Sequence, residues 1–159
     1  MRIVFMGTPD FAEISLKKIV EAGHEILAVI SQPDRQKGRG MKFIPSPVKQ
    51  YAQEKGYEVY TPEKIKKDVQ LIQTIKELNP DVICAVAFGQ ILSKEILDIP
   101  KKGCVNLHGS LLPKYRGAAP IQWAIINGDK TTGVSTMYMN EKMDEGDIIL
   151  EKEIRNRRR

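Results

Sequence analysis

Between Gly103 and Gly117 the chain reads Gly-Cys-Val-Asn-Leu-His-Gly-Ser-Leu-Leu-Pro-Lys-Tyr-Arg-Gly, placing an amide and an imidazole two residues apart. The amide is a fixed hydrogen-bond donor, and the imidazole can give or take a proton near neutrality. Cys104 to His108 reads as a short strand, and side chains alternate along a strand. Asn106 and His108 therefore share one face, with Val105 and Leu107 on the other. Gly109 ends the strand, and in a parallel α/β sheet the C-terminal end of a strand is where ligands bind. An isolated Asn-x-His is more often a satisfied polar pair at a strand end, and the pattern alone leaves that reading standing.

The elements around this stretch suggest an α/β protein. Arg2 to Met6 is an apolar run, and Thr8 or Asp10 is placed to cap a helix from Phe11 to Glu21. Glu25 to Ser31 reads as a second strand, giving a right-handed βαβ unit. Ser46 caps a helix with Pro47 at its first position, ending near Gly56, and a strand follows at Glu58 to Tyr60. Leu71, Ile72, Ile75 and Leu78 give Val69 to Leu78 an apolar helical face. Asp81 to Phe88 is continuously apolar after its first residue, as a strand buried on both faces of a parallel sheet should be. Ser93 to Leu97 reads as a short helix, and Ala118 to Ile126 as a helix carrying Trp123. Thr132 to Met139 alternates as a strand, Asn140 to Gly146 is a polar turn holding Asp144, and Ile148 to Ile154 is a last strand. The fold expected is a Rossmann-like, mostly parallel twisted sheet with helices on both faces, over one domain, residues 1–154. Residues 155–159 read as a disordered basic tail.

Composition narrows the class. The 159 residues are 42% hydrophobic and 28% charged, enough for one domain with a hydrophobic core. No apolar run reaches membrane-spanning length and no signal peptide is evident, so a cytoplasmic protein away from the membrane is expected. A monomer is expected as well, though nothing in the residues fixes the oligomeric state. A zinc site would need nearly all of Cys84, Cys104, His24 and His108, none paired at ligand spacing, so no metal is expected. The net charge is +5, but Arg155, Arg157, Arg158 and Arg159 carry most of it. Removing these four from the 25 basic residues leaves 21 against 20 acidic ones. The remaining basic cluster, Arg35, Lys37, Arg39 and Lys42, lies in Gln32 to Pro47, a stretch in which Gly38, Gly40, Pro45 and Pro47 argue against regular structure. That loop is the place to look for phosphate contacts; a solvated surface loop would read the same way. At the first turn stands Gly7-Thr8-Pro9-Asp10, which has one glycine and an acid where a dinucleotide fingerprint needs three glycines.

Asn106-x-His108 with Ser110-Leu111-Leu112-Pro113-x-Tyr115-Arg116-Gly117, followed by Asp144 in Met-Asp-Glu-Gly-Asp, resembles the formyltransferase fold that uses 10-formyltetrahydrofolate. Gln32-Pro33-Asp34-Arg35, Gly38-Arg39-Gly40 and Ser46-Pro47-Val48-Lys49 resemble its methionyl-tRNA branch. The similarity runs from Arg2 to Ile154. It implies formyl transfer from 10-formyltetrahydrofolate to the amine of methionyl-initiator tRNA. Asn106 would then donate to the developing oxyanion, His108 would add a donor and handle the proton, and Asp144 would orient the imidazole. The resemblance also implies a folate crevice lined by Phe88, Gly89, Gln90, Ile91 and Leu92, by Ser110, Leu111, Leu112 and Pro113, and by Asn140. Arg35, Lys37, Arg39 and Lys42 would meet acceptor-stem phosphates. Family members continue into further elements and a second small domain, so the sequence is expected to correspond to the catalytic part. Two alternatives stand beside this one. The first is a formyltransferase for another amine: Thr8-Pro9-Asp10 argues against glycinamide ribonucleotide, and the basic loop against an amino sugar. The second is a folate- or RNA-binding fragment without turnover.

Overall fold

A computed structural model describes residues 1–40, 42–110, 112, 114, 126, 127, 129–141, 146 and 148–155, excluding the side chains of Lys37, Thr132 and Ile154. The expected helix at Ala118 to Ile126 lies almost wholly outside these residues, as do residues 156–159. The chain forms two compact units, Met1–Cys104 and Val105–Arg159.

The first unit is built on parallel strands in the order β5-β2-β1-β6, with β1 Arg2–Gly7, β2 Glu25–Ile30, β5 Val59–Tyr60 and β6 Val82–Val86. Their pairings β1–β2, β1–β6 and β2–β5 are all parallel. Ile3 to Met6, Ala28 to Ile30, and Ile83, Ala85 and Val86 are buried, which is why these runs read as continuously apolar. Helix α1 (Asp10–Glu21) joins β1 to β2 and packs on β1, β6 and α2 (Pro47–Glu54). Helix α3 (Val69–Leu78) buries Leu71, Ile72 and Ile75 after a single 3-10 turn at Ile65–Lys67. Ser46, Asp68 and Ser93 cap α2, α3 and the short α4 (Lys94–Leu97), each accepting from the backbone N–H three residues on. Asn79 ends α3 in the left-handed region, φ 52°, and the Arg2 guanidinium donates to the carbonyls of Leu78 and Asn79 at 3.0 Å each.

Three expectations are corrected here. The cap of α1 is Pro9, with no side-chain capping bond, because Thr8 is engaged elsewhere. The stretch from Gln32 to Pro47 is not irregular throughout: Arg35–Lys37 (β3) and Lys42–Ile44 (β4) pair antiparallel. Gly38 and Gly40, with φ of 73° and 88°, reverse the chain between them, so the glycines close a hairpin. Strand β6 stops at Val86, two residues early, because Ala87 turns into the left-handed region.

The second unit contains β7 (Cys104–His108), which begins at the unit boundary, β8 (Thr131–Tyr138) and β9 (Ile148–Arg155). Strands β7–β8 and β8–β9 pair antiparallel, the latter with a register shift between Thr136 and Met137. Arg155, expected in the tail, is the last residue of β9. Ser135 and Met137 on β8 are buried, while Tyr138, Ile148, Ile149 and Leu150 are exposed. Among the described residues, no helix is long and apolar enough to cross a membrane, and no cluster of three potential metal ligands occurs.

Candidate active site

In β7, the alternation expected from sequence is realised. Asn106 pairs with Met137 and His108 with Ser135, so both share a face with the buried side of β8. His108 is itself buried, at the last position of the strand, and Asn106 is half-buried. Beyond it, the chain turns back under the control of Ser135. The Ser135 hydroxyl accepts from the Leu112 N–H at 3.1 Å and donates its single hydrogen to the Ser110 carbonyl at 2.6 Å. Glu151 Oε1, 3.3 Å away, is the farther acceptor. The Ser110 hydroxyl donates to the Lys114 carbonyl. Ser135 thus fixes the turn that follows the Asn-x-His strand. Leu112 is buried, Asn140 is exposed, and Leu111, Pro113 and Asp144 lie outside the described residues.

At the end of β6 the first unit carries a second constellation. Ala87 has φ 48° and Gly89 φ 90°. A left-handed alanine costs roughly 1–2 kcal/mol, so its surroundings must enforce it. Thr8, just past β1, donates to the Phe88 carbonyl at 3.0 Å and accepts from the Gln32 N–H at 3.3 Å. Gln32, just past β2, donates from Nε2 to the Gly89 carbonyl at 3.0 Å. Gln32 Oε1 accepts from Gln90 Nε2 at 2.8 Å. Gln90 Nε2 also reaches the Pro62 carbonyl at 2.8 Å, and its Oε1 accepts from the Ile65 N–H at 2.7 Å. The Gln90 side chain is therefore committed to the protein, and any ligand contact it makes is through its backbone. Phe88 and Leu92 are buried, as core residues would be, whereas Ile91 is 60% exposed, beside the exposed Ala87 and Gly89.

The basic residues Arg35, Arg39 and Lys42 are exposed on the β3–β4 hairpin, and the Lys37 side chain is not described. The hairpin also presents Phe43, 67% exposed. Its base is fixed by Asp34, whose carboxylate meets Lys49 Nζ at 2.9 Å, and by Ser31, whose hydroxyl lies 2.5 Å from that of Ser46. Away from these groups, burial pushes the Cys84 thiol up to about 11 and the Cys104 thiol up to about 12.

A family profile described as formyl transferase matches residues 1–156. The chain belongs to the formyl transferase family. A methionyl-tRNA formyltransferase of Clostridioides difficile is 61% identical over 154 residues, 97% of this chain and 50% of that protein. One of Caldanaerobacter subterraneus is 57% identical over the same share of each. The chain thus spans about half the length of the curated relatives it matches. Among solved structures, the phosphoribosylglycinamide formyltransferase of Bacillus halodurans has a TM-score of 0.78 at 21% identity, covering 99% of this chain and 81% of its own. That likeness shows the formyltransferase fold, the Rossmann-like α/β class expected from sequence.

Thr8, Gln32 and Ser135 are the residues that sequence reasoning missed. Each acts on a segment at least 23 residues away, through a bond that no local pattern announces.

Proposed function

We propose that this chain is the formyl-transferring part of a methionyl-tRNA formyltransferase, acting in the cytoplasm as a monomer on 10-formyltetrahydrofolate and methionyl-initiator tRNA. The observation that carries the reading is identity: 61% to a methionyl-tRNA formyltransferase, against 21% to a phosphoribosylglycinamide formyltransferase of the same fold. The exposed basic hairpin supports it, since an acceptor-stem substrate offers phosphates that a mononucleotide or sugar does not extend so far.

In this reading the methionyl amine attacks the formyl carbon, a C–N bond forms, and the carbonyl oxygen gains negative charge. The Asn106 amide donates to that oxygen. His108 adds a second donor and receives the proton released by the amine, returning it to the folate nitrogen as the original C–N bond breaks. Asp144 orients the imidazole for that transfer. The turn from Phe88 to Leu92, Ser110 to Pro113 and Asn140 take the reduced folate, with Ile91 as exposed apolar contact and the Ala87–Gly89 backbone as polar edge. Arg35, Lys37, Arg39 and Lys42 take the RNA backbone.

Formylation of methionyl-initiator tRNA tests the assignment. Asn106→Ala should lower turnover roughly 10²- to 10³-fold, and His108→Ala roughly 10²- to 10⁴-fold. Turnover within a few-fold of the parent in either variant would strike that residue from the mechanism.

A further inference from the structure

The folate reading assigns the turn after β6 to the ligand, and the inference here rests on that reading. We infer that Gln32 is a positioning residue for this turn: its amide grips Gly89 and Gln90 and so holds residues 87–90 in the geometry that receives the reduced folate.

The turn has to be held from outside. Ala87 occupies the left-handed region, at φ 48°, and Gly89 follows at φ 90°. The carbonyls of Phe88 and Gly89 are both taken by side chains, from Thr8 at 3.0 Å and Gln32 at 3.0 Å. These side chains follow β1 and β2, the two strands beside β6 and beyond it in the same parallel sheet. Gln32 is itself fixed at its backbone by Thr8, so the two grips form one assembly.

A glutamine is needed at position 32 because it donates and accepts from one planar group. Nε2 donates to Gly89, while Oε1 accepts from Gln90, whose own amide is anchored to Pro62 and Ile65. An ionised glutamate keeps the second bond and turns an acceptor against the Gly89 carbonyl; a methionine of similar length keeps neither. The approach is close: a Cβ on residue 89 would lie 2.7 Å from Gln32 Nε2. Gly89 is therefore required both by its φ and by this grip. Since Ala87, Gly89 and Ile91 are exposed while Phe88 and Leu92 are buried, rotation of the turn would exchange the surfaces offered to a ligand.

The test compares Gln32→Met and Gln32→Glu with Arg2→Ala. Arg2→Ala loses the two guanidinium bonds at the end of α3 and serves as a control for lowered stability away from the turn. Tetrahydrofolate affinity is measured by calorimetry, thermal unfolding on the same samples, and amide hydrogen exchange over residues 87–92. Both Gln32 variants should bind roughly tenfold or more weakly, with faster exchange confined to the turn. Arg2→Ala should keep parental affinity whatever its unfolding temperature. Affinity within twofold of the parent in the Gln32 variants, or affinity that follows unfolding temperature through all three, would overturn the inference and leave the folate reading intact. A parent chain, shown to be folded, that does not bind tetrahydrofolate would remove both.

Discussion

Ser135 shows how one hydroxyl can set the shape of a candidate active site. It lies opposite His108 in the β7–β8 pairing and bridges the Ser110 carbonyl and the Leu112 N–H. Ser135→Ala leaves a buried carbonyl and a buried N–H unpaired, which should cost about 1–3 kcal/mol in urea unfolding, with Ser135→Thr recovering most of it. An alanine variant as stable as the parent would show that the turn does not depend on this hydroxyl. That Asn106 and His108 share a face could be read from sequence because the relationship is local, two positions on one strand. Ser135 could not, because its partners are 23 and 25 residues earlier in the chain and a serine inside an alternating strand looks like any other polar residue. The cysteines were legible for the opposite reason, being set in apolar runs. With their thiols pushed up to about 11 and about 12, the thiolate fraction at pH 8 falls roughly 10²- to 10³-fold below that of an unperturbed thiol. Ellman's reagent should therefore label Cys84 and Cys104 readily only after denaturation; rapid labelling of the folded chain would mean that neither is protected. Because the protonated form is the one stabilised by folding, this contribution is intact below about pH 9 and declines as pH rises toward the folded values.

Among the elements, the β3–β4 hairpin carries the sharpest expectation. If its cations meet RNA phosphates, affinity for methionyl-initiator tRNA should fall steeply with salt, and neutralising Arg35, Arg39 and Lys42 together should lower the slope of log K against log salt by roughly 2–3. A slope unchanged by all three substitutions would remove the hairpin from the RNA site. The hairpin was hidden in the sequence because glycine and proline signal both loops and turns, and only the pairing Arg35↔Ile44 to Lys37↔Lys42 distinguishes them. By contrast α2 and α3 were legible to within a residue, since Ser46-Pro47 and an apolar stripe each carry a local physical cause. The start of β6 offers a pH test. The Arg2 N–H donates to Asp81 Oδ2 at 2.9 Å and holds that carboxyl below its usual range. A depressed carboxyl contributes stability above its unfolded value, near 3.8, and loses it as pH falls through the folded one. Asp81→Asn should therefore flatten the stability profile below about pH 4; an unchanged acid limb would assign it to other carboxylates.

At the scale of the molecule, fold and function come from different evidence. That the strands are parallel follows from apolar runs separated by helices, a pattern a sequence displays openly, whereas their order β5-β2-β1-β6 is seen only in the structure. The choice of amine does not: the phosphoribosylglycinamide formyltransferase of Bacillus halodurans shares this fold at 21% identity. What favours methionyl-tRNA in the proposed function is the 61% identity to a methionyl-tRNA formyltransferase, with the exposed basic hairpin beside it. The most direct measurement is a competition in which the purified chain, supplied with 10-formyltetrahydrofolate, is offered methionyl-initiator tRNA and glycinamide ribonucleotide together. The proposed function requires formylmethionyl-tRNA as the product, its formation slowed roughly 10²- to 10³-fold by Asn106→Ala. Formylation of the ribonucleotide instead, or formylmethionyl-tRNA made equally well without Asn106, would contradict it.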